Sequence, residues 1–280
     1  MGNNLKNYLR FLRIKDWRGY FLTALFGFMI SKWFLFPLKE IIIFWIIIIL
    51  FLAFGFSVND CFDTKEDKLQ KYKKNSIVTK EISLKKGLFF SISLAILGLA
   101  LSIRFGLEVF ILSLVAILLA FFYSAPPFRL KSKPFLDLLS HGLFAGTLIF
   151  FFPILVFNKN LEPLHYLIGF SIFYLSVIAE LRNHLEDYEF DKKAGLKTTV
   201  CVLGYKNSEN LLRYLVILSP LTIFPIFLLN SQKYLLLFLI LSSIFLFFAL
   251  FNRNYQIVKN YKMVDIYIIL SFGLLTIAII

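Results

Sequence analysis

Long apolar runs leave this chain few ways to fold. They fall at roughly 20–37, 41–58, 87–103, 107–124, 138–157, 163–181, 210–230, 233–251 and 264–280. A hydrocarbon core about 30 Å thick is crossed by ~20 helical residues, and about 17 suffice where a helix is short. Inside lipid every backbone amide must be satisfied within its own segment or a closed barrel. Nine such runs predict an all-α polytopic membrane protein with nine transmembrane helices. Apolar residues make up 59% of the chain, which excludes an ordinary soluble domain.

Charge sets the orientation. The formal net charge is +13. The N-terminal segment and the connections after the second, fourth, sixth and eighth runs, with Arg213 at the start of the seventh run, hold 25 of the 30 Lys and Arg; Lys32, Lys39, Arg104, Lys159 and Lys233 hold the other 5. The basic side is expected in the cytoplasm, with the N-terminus inside, as in a multi-pass protein of the cell membrane. The basic excess is therefore a topology signal plus attraction for phosphate and lipid headgroups, and no nucleic acid is called for. The residues name no protein partner. Residues 1–19 interleave Lys6, Arg10, Arg13, Lys15 and Arg18 with apolar residues. They predict a short amphipathic helix on the membrane surface, with Trp17 as an interfacial anchor. No cleavable signal peptide is expected. Cys61 and Cys201 are the two cysteines. Both fall on the side assigned to the cytoplasm, so reduced thiols are the expectation.

The three long polar loops, 59–86, 125–137 and 182–209, fall on that same side, so chemistry is expected at the cytoplasmic mouth. The first opens with Asn59-Asp60-Cys61-Phe62-Asp63-Thr64-Lys65-Glu66-Asp67. If the backbone stays helical, Asp60, Asp63 and Asp67 lie at i, i+3 and i+7 on one face. Crowded carboxylates repel unless something positive joins them, and hard oxygens at this spacing suit Mg²⁺ with phosphate and water. The third loop opens with a second copy, Asn183 followed by Asp187, Asp191 and Lys192. His184 stands where the first copy has Asp60. The bland reading makes each stretch a solvated helix end, but that does not account for matched Asn and Asp spacing. Two acidic faces across a cavity predict paired metal sites clamping one diphosphate. Between them lies Tyr123-Ser124-Ala125-Pro126-Pro127-Phe128-Arg129-Leu130-Lys131. Two prolines hold the chain extended and bring Arg129 and Lys131 within reach of a phosphate.

These motifs together resemble the UbiA superfamily of intramembrane prenyltransferases, over nearly the whole chain. The resemblance implies one domain, residues 1–280, of two pseudo-repeated halves, about 1–135 and 136–280. It implies nine helices around a central cavity that opens sideways to lipid beneath a cap of cytoplasmic loops. It implies a prenyl diphosphate and a lipophilic acceptor as substrates and Mg²⁺ as cofactor. Carried over by position, Asn59, Asp60, Asp63 and Asp67 form the first metal cluster. Asp187 and Asp191 form the second, with Asn183 beside them. Asp63, Asp67, Asp187 and Asp191 would be catalytic. Arg129, Lys131 and Lys197 would meet the phosphates, and Tyr123, His184 and Glu180 would complete the substrate site. Two departures stand out. Many members have Arg-Pro where this chain has Asn75-Ser76, so Lys73, Lys74 or Lys80 is expected to supply the charge; and His184 takes the place of an acid.

Ionisation of an allylic diphosphate needs its leaving charge neutralised, here by Mg²⁺, Arg and Lys. The prenyl cation must meet its acceptor away from water. Tyr123, Tyr174 and Tyr188 are candidates to stabilise it through their ring faces. Glu180, at i−7 from Asp187, is a candidate base. His141 is read as a helix-bonded neutral side chain and His165 as interfacial. Rival readings are an ion-coupled transporter, a phosphoalcohol transferase, a non-catalytic protein on the same fold, and the superfamily's phosphoribosyl-polyprenyl-phosphate branch. Transporters hold their ionisable residues near the midplane on broken helices, whereas these acids cluster at helix ends. Acceptors in the superfamily include quinone precursors, archaeal glyceryl phosphate lipids and carotenoids, and the Pro-Pro-x-Arg-Leu-Lys loop leans towards those three.

Overall fold

Capping chemistry turns the apolar runs into helices with defined ends. The computed structural model describes residues 2–70, 75–230, 232–251 and 261–279. In chain order the α-helices are α1 Gly2–Phe11, α2 Arg18–Ile30, α3 Leu38–Phe62, α4 Thr64–Leu69, α5 Leu84–Ser102, α6 Leu107–Ser124, α7 Leu136–His141, α8 Leu148–Asn158, α9 Pro163–Ala194, α10 Thr199–Leu203, α11 Tyr205–Leu218, α12 Pro220–Asn230, α13 Leu235–Phe251 and α14 Tyr261–Ile279. A π-helical segment, Gly142–Thr147, joins α7 to α8. Pro163 opens α9, where its missing N–H costs nothing. Glu162 and His165 close a reciprocal capping box there, and His165 is buried. Gly195 ends the same helix at φ 77°, a left-handed position that glycine occupies without strain.

Among the described residues six spans are long and apolar enough to cross a membrane: Leu38–Phe62, Leu84–Phe105, Leu107–Ser124, Leu136–Asn158, Pro163–Ala194 and Tyr205–Asn230. The remaining three runs correspond to the helices α2, α13 and α14. Only 22% of the Leu84–Phe105 window is buried, against 61% for Leu136–Asn158. The first therefore turns most of its apolar surface towards lipid, and the second lies inside the bundle. α9 is central, packing on the π segment, α10, α11, α12 and α14. In a membrane such packing relies on close approach rather than on expulsion of water. Gly27 shows this, since a Cβ there would lie 2.6 Å from the carbonyl oxygen of Phe150 on α8.

Two local features differ from the sequence reading. The helix carrying the first acidic stretch breaks at Asp63 (φ −91°, ψ 18°) instead of running on to Asp67. The hydrogen-bond ladder nevertheless continues, from Asp63 N–H to Asn59 and from Asp67 N–H to Asp63, both at 2.9 Å. Trp17 is buried in the apolar cluster with Phe28, Phe44 and Phe157 instead of anchoring at an interface. Its indole N–H donates to the Leu12 carbonyl at 2.8 Å, so the ring buries without an orphaned donor.

Candidate active site

A cavity of about 990 Å³ runs between the helices, and both acidic stretches contribute to its wall. Asn59, Asp63, Glu66 and Asp67 line one side; Asn183, Asp187 and Asp191 line the other. The sides are joined directly, because Gln70, at the end of α4, donates to Asp187 at 3.1 Å. Lys131 pairs with Asp63 and lies 3.8 Å from Glu66. Arg129 pairs with Glu66 and lies 4.0 Å from Asp63. The proline loop therefore delivers both cations to the first acidic stretch. Asn59 is held by a 3.1 Å bond to the Ser124 hydroxyl.

Asp60 is placed differently from Asp63 and Asp67. It is buried behind the cavity wall, 3.2 Å from Arg13, and is absent from the cavity lining. Burial alone would lower the Arg13 pKa, but Asp60 and then Asp16 outweigh it, and the guanidinium sits above its ordinary value. Lys197 is also outside the lining. Its side chain is exposed, and its backbone N–H donates to Ser132 at 3.1 Å. Arg129 reaches the site through Glu66 rather than by lining the cavity. Tyr123 lines it, whereas Tyr174 and Tyr188 pack against the larger apolar core.

The Asn75-Ser76 departure has a structural answer. Asn75 is buried and donates to Asp67 at 2.7 Å and to the Asp60 carbonyl at 2.8 Å. Its own oxygen accepts from Ile77 N–H at 2.8 Å. A neutral amide thus holds Asp67 in place and brings no positive charge of its own. Lys80 is exposed and borders a separate small pocket near Asn7 and Tyr8. Lys73 and Lys74 lie outside the described residues.

The donor set suits a magnesium ion shared with a diphosphate. Among the described residues no three His, Cys, Asp or Glu side chains converge tightly enough to hold an ion alone. Mg²⁺ is commonly held by one or two carboxylates with substrate phosphates and water, not by an all-protein cage. The buried Oε2 of Glu66 has no hydrogen-bond partner among the described residues, which is the kind of atom a cation satisfies.

The sequence pattern of the UbiA prenyltransferase family matches residues 20–269. The chain belongs to this family. Among curated UbiA-like relatives, the digeranylgeranylglyceryl phosphate synthase of Saccharolobus solfataricus is 29% identical over 255 residues, covering 90% of this chain and 88% of its own. That of Methanococcus vannielii is 29% identical over 285 residues, covering 96% and 97%. A UbiA homolog from Archaeoglobus fulgidus bound to DMAPP and Mg²⁺ superposes with a TM-score of 0.75 at 23% identity, over 97% of this chain and 99% of that one. The UbiA assignment makes this protein a multi-pass membrane prenyltransferase. Sequence reasoning missed Tyr20, Glu66 and Gln70, which line the cavity, Asn75, which bonds Asp67, and Asp137, which lies 3.3 Å from His184. Glu66 had a signal, since it sits beside Asp67 in the acidic stretch. Asp137 also had one: it precedes His141 by four residues, as Glu180 precedes His184.

Proposed function

We propose that the protein transfers a prenyl group from an allylic prenyl diphosphate to the free hydroxyl of a glyceryl phosphate ether lipid. The observation that carries this is the pair of acidic stretches on one cavity, bridged by Gln70 and Asp187 and served by Lys131 and Arg129. The acceptor class is supported by the names of the curated relatives. Asp63 and Asp67, with Asn59 beside them, and Asp187 and Asp191 would hold Mg²⁺, and Asp60 would act from behind by fixing Arg13. The ion would neutralise charge on the diphosphate as it departs. Lys131, and Arg129 through Glu66, add positive charge fixed in a partly dry site, where it is worth more than in water. The apolar cavity walls keep water from the prenyl cation. Tyr123 presents a ring face to it.

The same reading treats residues 1–280 as one domain of two related halves, with nine transmembrane helices and cytoplasmic cap loops. The 25-to-5 division of Lys and Arg supports a cytoplasmic N-terminus in the cell membrane. The test is incorporation of labelled geranylgeranyl diphosphate into geranylgeranylglyceryl phosphate by membranes containing the protein. A product that needs both Mg²⁺ and Asp63 is expected. Asp63→Ala and Asp187→Ala should abolish it while the protein still inserts. Incorporation into a quinone precursor or a carotenoid instead would reassign the acceptor. Release of no diphosphate with any chain length would point to the phosphoribosyl branch.

A further inference from the structure

α7 and α9 each carry an acid and a histidine four residues apart, Asp137 with His141 and Glu180 with His184. That spacing puts each pair on one helix face, and the two faces meet inside the protein. His141 Nε2 lies 3.3 Å from Glu180 Oε2. His184 Nε2 lies 3.1 Å from Glu180 Oε1, and its Nδ1 lies 3.3 Å from Asp137 Oδ2, at ion-pair distance. Asp137 is fully buried. It accepts from the Thr199 N–H at 2.6 Å and the Thr199 hydroxyl at 2.5 Å. Glu180 also accepts from Tyr123 and, at 3.2 Å, from Asn183. His141 reaches two more groups: the Tyr20 hydroxyl of α2 lies 3.1 Å from Nε2, and the Ser176 hydroxyl 3.1 Å from Nδ1.

Tyr20, Tyr123, His141, Glu180 and His184 all line the cavity. The backbone leaves α-geometry immediately after His141, in the π segment Gly142–Thr147, and such segments concentrate at functional sites. Ionisable groups at this depth are costly unless they serve a purpose. Neutralising the diphosphate is not that purpose, because other residues at the wall do it.

We infer that Tyr20, His141 and Glu180 form a proton relay that receives the proton lost by the acceptor, with His184 and Asp137 positioning Glu180. The inference rests on the transferase reading above. His184 lies at ion-pair distance from a carboxylate at each ring nitrogen, which suits an imidazolium. With His141 neutral, the two acids and two histidines then carry one net negative charge and can take up one proton. Both oxygens of Glu180 already accept donors, which makes it the counter-ion and leaves His141 as the proton acceptor. The bond from the prenyl C1 to the diphosphate oxygen breaks, and the electron pair leaves with the diphosphate. The acceptor hydroxyl oxygen bonds to C1. Its proton moves to the Tyr20 oxygen while Tyr20 passes its own proton to His141 Nε2. The imidazolium of His141 is then paired with Glu180 until opening to water returns the proton.

The test is steady-state kinetics of the full chain in lipid nanodiscs with geranylgeranyl diphosphate, Mg²⁺ and geranylgeranylglyceryl phosphate. His141→Gln should lower kcat by ~10²–10⁴-fold, the usual contribution of a positioned acid or base. The KM for the prenyl diphosphate should stay unchanged. The titratable groups facing His141 are Tyr20 on α2, Tyr123 on α6, and Glu180 and His184 on α9. The acid limb of the kcat–pH profile should vanish in His141→Gln; a limb that persists would belong to another group and overturn the assignment. An unchanged kcat, or a change confined to KM, would also overturn it. If His141→Gln does not accumulate, Tyr20→Phe decides. A loss of about tenfold or more in kcat at constant KM supports the relay, and an unchanged kcat refutes it. Failure of the transferase reading is distinguishable, because the native protein would then form no prenylated product.

Discussion

Lys131 is buried with Asp63, and each needs the other, since a buried charge without a partner is strongly disfavoured. Lys131→Met removes both that partner and a fixed charge at the diphosphate. The expected loss in kcat/KM is ~10²–10³-fold, by analogy with removal of a single preorganised donor, read as label incorporated per minute. Asn75 acts one layer further out, through its bond to Asp67. Asn75→Ala should raise the Mg²⁺ concentration for half-maximal activity by ~10–100-fold, the range for groups that orient a ligand. Membrane accumulation should be unaffected, and a magnesium titration of the variant checks it. The acids themselves were legible because their spacing survives in the one-dimensional text. Asn75 was not: its role depends on a loop folding back over Asp60 and Asp67, and nothing in a neutral Asn beside a Ser announces that fold.

Among the elements, each apolar run maps onto one or more helices, since lipid permits a backbone no other way to satisfy itself. What lay beyond periodicity was how each helix departs from regularity. The break at Asp63 and the π segment after His141 depend on neighbours distant in the chain. The π segment packs against α9, where a Cβ on Gly146 would meet the Ser176 Cβ at 2.9 Å. Trp17 was misjudged for a related reason: an indole at a helix start looks like a headgroup anchor until a carbonyl is found for its N–H. Close approach also makes a testable claim at Gly27. Gly27→Leu must push α2 away from α8, because even a Cβ would sit 2.8 Å from Pro153. Overpacking of this kind costs about 1–3 kcal/mol, so the detergent-solubilised variant should melt several degrees below the native protein in a thermal scan.

For the whole molecule, the basic residues predict which loops face which compartment. Single cysteines introduced at Lys32 or Lys159, in a variant lacking Cys61 and Cys201, should react with an impermeant maleimide added to intact cells. A cysteine at Lys85 should react only after the membrane is opened. The reverse pattern would invert the topology and place the site on the wrong side for a diphosphate made in the cytoplasm. The bond from Gln70 to Asp187 has a consequence at this scale too. α4 is six residues long and packs on α9, and this bond ties the two acidic walls together. A hydrogen bond to a charged group is worth about 1.5–3 kcal/mol, a barrier increment that thermal motion crosses readily. The bond therefore sets a cost of that size on parting the two walls, while leaving them free to separate at ordinary temperature.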